Sequence, residues 1–289
     1  MYKFVPQKKR SQFRIRLGCV FYTLKRYLYW LKNNSKFASI PEKYKKSDNE
    51  QLKKDYPEIV FYHSSPLYRN LSKEDTKLQN AKVNNLLIAI KKINKTVIKP
   101  SQLFSYWKLI GNPLKIKGYK KGMMLVNGRP KAATGGGLCA LSNLLYWIFL
   151  HSRLVVKERW RHSYDVFPDS NRTLPFGSGA TCVYNFRDLI ILNETEDDYA
   201  LLVTIENNRL CGELRAKQNH NEVYEVYQKE HHITQEGSGI FVRHNTIYRK
   251  KYESENQKEP SEDIYITENH ALMMYNPLIS ENKETKSDR

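Results

Sequence analysis

No stretch of this 289-residue sequence approaches the roughly 20 consecutive apolar residues that a helix needs to cross a bilayer. The nearest approach, residues 17–24, is stopped by Lys25 and Arg26, and no small-x-small cleavage site follows. Arg14 and Arg16 stand where a lipoprotein signal would carry its apolar run ahead of Cys19. The expectation is a cytoplasmic chain, at most peripheral on the inner membrane face, with secretion the less favoured reading. Cysteine is scarce: Cys19, Cys139, Cys182 and Cys211 are far apart and form no C-x-x-C pair, which excludes a zinc ribbon or a dense disulfide scaffold and fits a reducing compartment. A Cys182–Cys211 bridge stays open at this level. Walker A, dinucleotide-binding glycine and H-E-x-x-H patterns are all missing, so no cofactor is implied. A metal held by Cys139, His162 and Cys182 would lack any diagnostic spacing, and none is expected. Internal repeats and long low-complexity segments are also missing.

Acidic residues are absent from the first 41 positions, which hold ten Lys and Arg. More than half of the net charge of +18 therefore sits in the first seventh of the chain. Charge of this kind suits an anionic membrane surface or nucleic acid. No nucleic-acid recognition motif accompanies it, so charge alone supports that second reading and no specific nucleic-acid partner is expected. Phe13, Leu17, Val20, Phe21, Leu24, Leu28 and Leu31 recur at helical spacing within residues 12–32, with Arg14, Arg16, Lys25, Arg26 and Lys32 on the other faces. That pattern belongs either to an interfacial membrane helix or to a helix packed on the domain with its basic face in water.

The rest divides by composition. Residues 1–40 form the basic helical segment, 41–79 a polar connector broken by prolines, 80–216 a core domain, 217–278 a strand-rich extension and 279–289 a disordered polar tail. Within the core, residues 80–93 show the spacing of a helix, and Asn127-Gly128 marks a hairpin between 123–126 and 129–132. Residues 139–151 then read as an apolar helix and 154–159 as a strand running towards Arg161 and His162. Residues 165–179 read as a loop, and 181–184, 189–193, 199–206 and 209–216 as successive antiparallel strands. Residues 222–229, 241–243, 245–249, 264–266 and 273–275 suggest shorter added strands. The fold class is α+β: N-terminal helices, then a central glycine loop and cysteine helix packed on a mostly antiparallel sheet.

The chemistry concentrates where the hairpin enters the helix. Gly135-Gly136-Gly137-Leu138-Cys139 puts a thiol at a helix N-terminus, where unpaired N–H groups and the helix dipole favour the thiolate. Backbone N–H groups around Gly135, Gly136 and Gly137 would suit an oxyanion. Glu158-Arg159-Trp160-Arg161-His162 brings an imidazole, and cysteine before histidine is the order of papain-like thiol hydrolases. Asp165, with Asp169 and Asp188 as other choices, would orient His162. On a strand, Arg159 and Arg161 would share one face and Trp160 with His162 the other. Trp160, Arg159, Arg161, Ser142 and Asn143 are then candidate substrate contacts. A thiol nucleophile, a binding site without covalent chemistry, and plain core packing are the three readings of Cys139.

Phe104-Ser105-Tyr106-Trp107, Gly118-Tyr119-Lys120-Lys121-Gly122, the glycine–cysteine–serine core and Glu158-Arg159 to His162-Ser163 together strongly resemble the VanW family, over roughly residues 80–215. That family takes its name from an accessory protein of vancomycin-resistance gene clusters. The resemblance implies an association with the cell envelope and with glycopeptide response, and it places the family's motif on Cys139 and His162. Many family members carry Gly-x-Asp-Ala-Thr where this chain has Gly177-Ser178-Gly179-Ala180-Thr181, so Gly179 replaces an aspartate. The function expected is action on, or binding of, peptidoglycan or its lipid-linked precursor through a Cys139–His162 cleft. A cysteine hydrolase or transpeptidase-like activity is one form of it. A non-catalytic binding module at the membrane surface is the other.

Overall fold

In a computed structural model the chain is described over residues 11–68, 73–126, 128–166, 173–237 and 239–277. Asn127, Asp169 and the tail at 279–289 lie outside the described residues. The chain is α+β, with six α-helices and mostly antiparallel sheets among those residues.

The long helix α1 (Gln12–Lys32) starts where the Ser11 hydroxyl accepts the Arg14 N–H and ends at Asn33. Short helices α2 (Glu42–Lys45) and α3 (Asn49–Asp55) follow. Strand β1 (Glu58–Pro66) falls within the polar stretch before residue 80 and pairs antiparallel with Arg209–Ala216 of the core. Helix α4 (Lys73–Ile93) begins seven residues before the apolar periodicity does, because its first two turns carry helix-forming polar residues. Next come β2 (Thr96–Ile98), β3 (Leu103–Ser105) and α5 (Tyr106–Ile110). The hairpin β4 (Lys121–Val126) and β5 (Arg129–Thr134) pairs in register down to Lys121 opposite Thr134, and so delivers the chain into the glycine loop and α6 (Cys139–Leu150).

After α6 come β6 (Val155–Glu158), β7 (Tyr164–Asp165), β8 (Ile190–Leu192), β9 (Tyr199–Glu206) and β10 (Arg209–Ala216). Three long strands complete the fold: β11 (Val223–Gly237), β12 (Ile240–Tyr252) and β13 (Glu262–Met273). The sheets run β1-β10-β9-β2, β3-β8-β6, β4-β5 and β11-β12-β13-β7. Helix α6 packs against β10, β1 and β6, and nine of its twelve residues are buried. Its apolar character on every side is what a helix enclosed by neighbours requires. Val226 and Ile247 of the long strands join the same core as α6. The link is reinforced where Arg249 donates to the carbonyls of Leu150 and Ser152 at 3.2 and 2.9 Å.

Three local expectations change. In place of a strand at 181–184, residues 183–187 form a tight turn closed by a Val183–Arg187 bridge, because the chain must reverse at once to enter β8. The strand expected to run on towards Arg161 and His162 stops at Glu158, where the β6–β8 register is already irregular. The short pieces expected after residue 217 are three strands of 12 to 15 residues, since hydrogen bonding to neighbours carries a strand through polar stretches without apolar alternation. No helix among the described residues is long and apolar enough to cross a membrane.

Candidate functional site

The glycine loop is a close packing of backbone on backbone. Any Cβ on Gly136 would overlap the carbonyl of Gly122, so the hairpin can meet the helix entrance only through glycine. Gly135 and Gly137 take positive φ values of 76° and 91°. The buried Asn85 amide ties the arrangement, donating to the carbonyls of Lys120 at 3.0 Å and Gly136 at 2.9 Å while accepting the Lys120 N–H at 2.8 Å.

Cys139 begins α6, and residues 180–182 lie across this first turn. Ser142 donates to the Ala180 carbonyl at 2.6 Å, and Asn143 Oδ1 accepts the Ala180 N–H at 2.9 Å. Gly179 leaves the space that Asn143 occupies, for a Cβ there would lie 2.5 Å from Asn143 Oδ1. Gly179 and Asn143 therefore fit as a pair, the asparagine of α6 closing a contact that a side chain at 179 would block. Cys139 keeps some exposed surface, yet burial raises its thiol pKa. The N–H groups of Cys182 and of Cys139 itself favour the thiolate but only partly offset that. Burial thus outweighs the helix-end field at this sulfur. Cys182 is buried beside it and raised further, again by burial first and then by the charge of Asp188. All four cysteines are free.

The segment 158–162 is irregular, and each side chain finds its own partner. Arg159 donates to the carbonyls of Gly177 and Gly179 and stacks over the Tyr146 ring. Its role is to brace the 177–179 loop from inside. Arg161 reaches the His270 carbonyl on β13 at 2.5 Å. Trp160 is 44% exposed, with its indole N–H on Glu158 at 2.9 Å and the Arg187 guanidinium 5.4 Å over its ring. The Trp160 carbonyl accepts the Thr181 N–H at 2.7 Å, which joins this surface to the cysteine turn. The His162 pKa is lowered by burial and, secondarily, by Arg187. Among the described residues no hydrogen bond joins the His162 ring to Cys139 or to Asp165.

Asp165 sits instead under the long strands, 3.0 Å from Arg243 Nε and accepting the Tyr275 hydroxyl at 2.8 Å. The carboxylate that does border the cysteines is Asp188. It accepts Ser105 Oγ at 2.5 Å and the N–H groups of Trp107 and Leu189, and burial pushes its pKa up to about 6. Tyr106, wholly buried, lies among Cys139, Cys182 and Asp188 and donates to the Leu138 carbonyl at 2.8 Å.

Glu158 is the hub that periodicity did not single out. One of its oxygens accepts the Trp160 indole, the Asp188 N–H at 3.0 Å and Arg26 of α1 at 2.6 Å. Arg26 also lies 4.0 Å from Asp188, and the Tyr27 hydroxyl meets that of Tyr184 at 2.7 Å. Asn185, 1% exposed, holds both amide atoms without a hydrogen-bond partner, an arrangement native interiors seldom tolerate without a role for the group. A shallow depression of about 300 Å³ lies elsewhere, lined by Arg153, Glu222, Tyr224, Arg249, Lys251 and Glu262. Its charges neutralise one another, as in the Arg153–Glu222 and Lys251–Glu222 pairs at 3.3 and 3.4 Å.

The glycine loop, the cysteine turn and the Glu158–His162 segment all fall within residues 81–215, which match the family model described as VanW like protein. Over 188 residues the chain is 32% identical to Vancomycin B-type resistance protein VanW of Enterococcus faecalis (strain ATCC 700802 / V583), covering 65% of this chain and 68% of that protein. The chain belongs to the VanW family. It is also 29% identical over 83 residues to Uncharacterized protein YoaR of Bacillus subtilis (strain 168), across 29% of this chain and 27% of that protein. No solved structure matches it. The VanW match ends at 215, just before the three long strands, yet Arg161 and Asp165 of the matched region are held by β12 and β13.

Proposed function

We propose that this VanW-family chain serves the cell envelope by binding peptidoglycan or its lipid-linked precursor without covalent chemistry, on the surface formed by Trp160, Arg187 and His162 above the cysteine turn. The observation that carries this reading is the state of Trp160. An indole nearly half exposed, yet fixed by Glu158 on its edge and Arg187 on its face, is a preorganised platform. Such a ring stacks on a sugar or a flat peptide group with little ordering cost, and the neighbouring guanidinium suits the carboxylates of a peptide stem. The thiol supports the same reading. With Cys139 raised and His162 lowered, both by burial, both groups are neutral near pH 7, and neither bonds the other. A cysteine hydrolase starts from the opposite arrangement, an activated thiolate beside its base.

The test is titration of the purified chain with a soluble muropeptide, followed by calorimetry and by tryptophan fluorescence. Trp160→Ala is expected to weaken binding about tenfold or more, equivalent to ~1.4 kcal/mol. Cys139→Ser should leave affinity within about twofold, because the change nearly preserves shape and the sulfur is not part of the platform. Turnover of the fragment that Cys139→Ser abolishes would replace the binding reading with thiol catalysis. Unchanged affinity in Trp160→Ala would remove the platform.

A further inference from the structure

Helix α1 meets the domain with one side and turns the other outward. Trp30, at 7% exposure, is its buried residue, and Arg26 inserts beside it to reach Glu158 and Asp188. Across the helix from these two run Phe13, Leu17, Val20, Phe21, Leu24, Leu28 and Leu31. Each of them is more than half exposed, from 55% at Leu17 to 75% at Leu31. From Phe13 to Leu31 this stripe is about 27 Å long at ~1.5 Å per residue. The usual amphipathic arrangement is inverted, since a helix belonging to a globular domain hides its apolar stripe and exposes its charges.

Charge decides what covers the stripe. Arg14, Lys25 and Lys32 line one margin and Arg16 the other, all exposed and without an ion pair among the described residues. No acidic residue occurs on the helix. A second copy of the same basic stripe would bring like charges together, whereas an anionic bilayer satisfies both the apolar and the basic parts at once. The apolar residues would enter the acyl boundary while the flanking guanidinium and ammonium groups stay among the phosphates.

We infer that α1 is an interfacial membrane helix that seats this chain on an anionic lipid surface. Its inner side, through Arg26 and Tyr27, holds Glu158 and Tyr184 directly. Lipid binding would therefore fix the Trp160 surface at a constant distance from the headgroups. The inference stands on the exposed stripe and its charges and is independent of what Trp160 binds.

The experiment is sedimentation of the full chain with vesicles of equal parts phosphatidylglycerol and phosphatidylcholine, and with phosphatidylcholine alone. Circular dichroism and thermal melts of every variant accompany it, and sedimentation velocity without lipid reports self-association. The native chain should pellet with the mixed vesicles and lose binding as salt rises. Leu17→Asp with Leu24→Asp should abolish pelleting while leaving the melt unchanged, because neither side chain contributes to the core. Arg14→Gln, Lys25→Gln and Lys32→Gln should weaken binding by about fivefold per charge removed. Failure of the native chain to pellet overturns the inference, and so does equal pelleting by the Leu17→Asp, Leu24→Asp variant. Self-association without lipid that the same variant abolishes, together with absent vesicle binding, would assign the stripe to a second copy of the chain.

Discussion

Helices α1 and α6 both carry large apolar residues at helical spacing and have opposite fates. In α6, the residues from Leu144 to Leu150 are all buried, and the helix threads through sheets that enclose it. In α1, Trp30 is buried and the leucines face out. Hydrophobic periodicity identifies a helix without identifying its solvent. For α6 the solvent is the protein, so its residues carry the stability of the fold. For α1 the anchorage runs along its inner side through Trp30, Arg26 on Glu158 and Asp188, and Tyr27 on Tyr184, so its stripe is left for another role.

Changes at the α6 end should be the most damaging. Gly136→Ala places a methyl group inside the Gly122 carbonyl, and neither backbone can give way without opening the hairpin. Loss of soluble folded protein is the expected result, read by expression and circular dichroism, and a normally folded variant would contradict the close packing. Phe149→Ala, at a fully buried position against Phe104, should cost about 3–5 kcal/mol in denaturant unfolding. A cost under ~1 kcal/mol would place α6 outside the load it is assigned here.

A smaller effect sharpens the boundary between the two helices, where Arg26 of α1 faces Asp188. The Asp188 pKa is raised from 3.8 to about 6, so between those values the folded state binds more protons than the unfolded state. Its contribution to stability therefore falls as pH rises through that window and is gone above it. His151 has the opposite sign: lowered from 6.5 to about 4 by burial, it destabilises the fold on acidification from 6.5 towards 4. The two oppose each other across nearly the same range. Asp188→Asn removes the first, so the loss of stability between pH 6 and 4 should become steeper than in the native chain. Unfolding measured at half-unit pH steps checks this, and an unchanged or shallower slope would mean that Asp188 is ionised in the fold throughout. The smallest effect is expected on the outer side of α1. Leu28→Ser should shift unfolding by no more than about 0.5 kcal/mol. A cost like that of Phe149→Ala would show the stripe to be covered by protein after all.

Much of the architecture was legible along the chain. The helix at 12–32, the hairpin entering the glycine loop, the cysteine helix and the pair at 199–206 and 209–216 all appear where periodicity and turn residues place them. Ser142, Asn143 and Trp160 meet at residues 180–181, close to the start of α6. Less legible was how the pieces of 158–165 separate. Alternation assumed a continuing strand, whereas the chain leaves the sheet at Glu158, Arg159 turns inward to Gly177 and Gly179, and Asp165 joins Arg243. No local pattern marks Glu158 as a hub, because its donors come from Arg26, Trp160 and the backbone of Asp188, brought together only by folding.

The VanW motifs, the α+β class, the helix at 12–32 and the position of the thiol at the start of α6 are all readable along the chain. These follow from spacing, turn chemistry and composition, which act between near neighbours on the chain. Tertiary structure alone decided which side of α1 faces outward, that Asp188 borders the cysteines while Asp165 sits under the long strands, and that the Cys139 thiol is raised rather than lowered. Each of these depends on burial or on a partner far away in sequence. A local pattern offers two faces, two carboxylates or two protonation states, and only the packed surroundings assign a free energy to each.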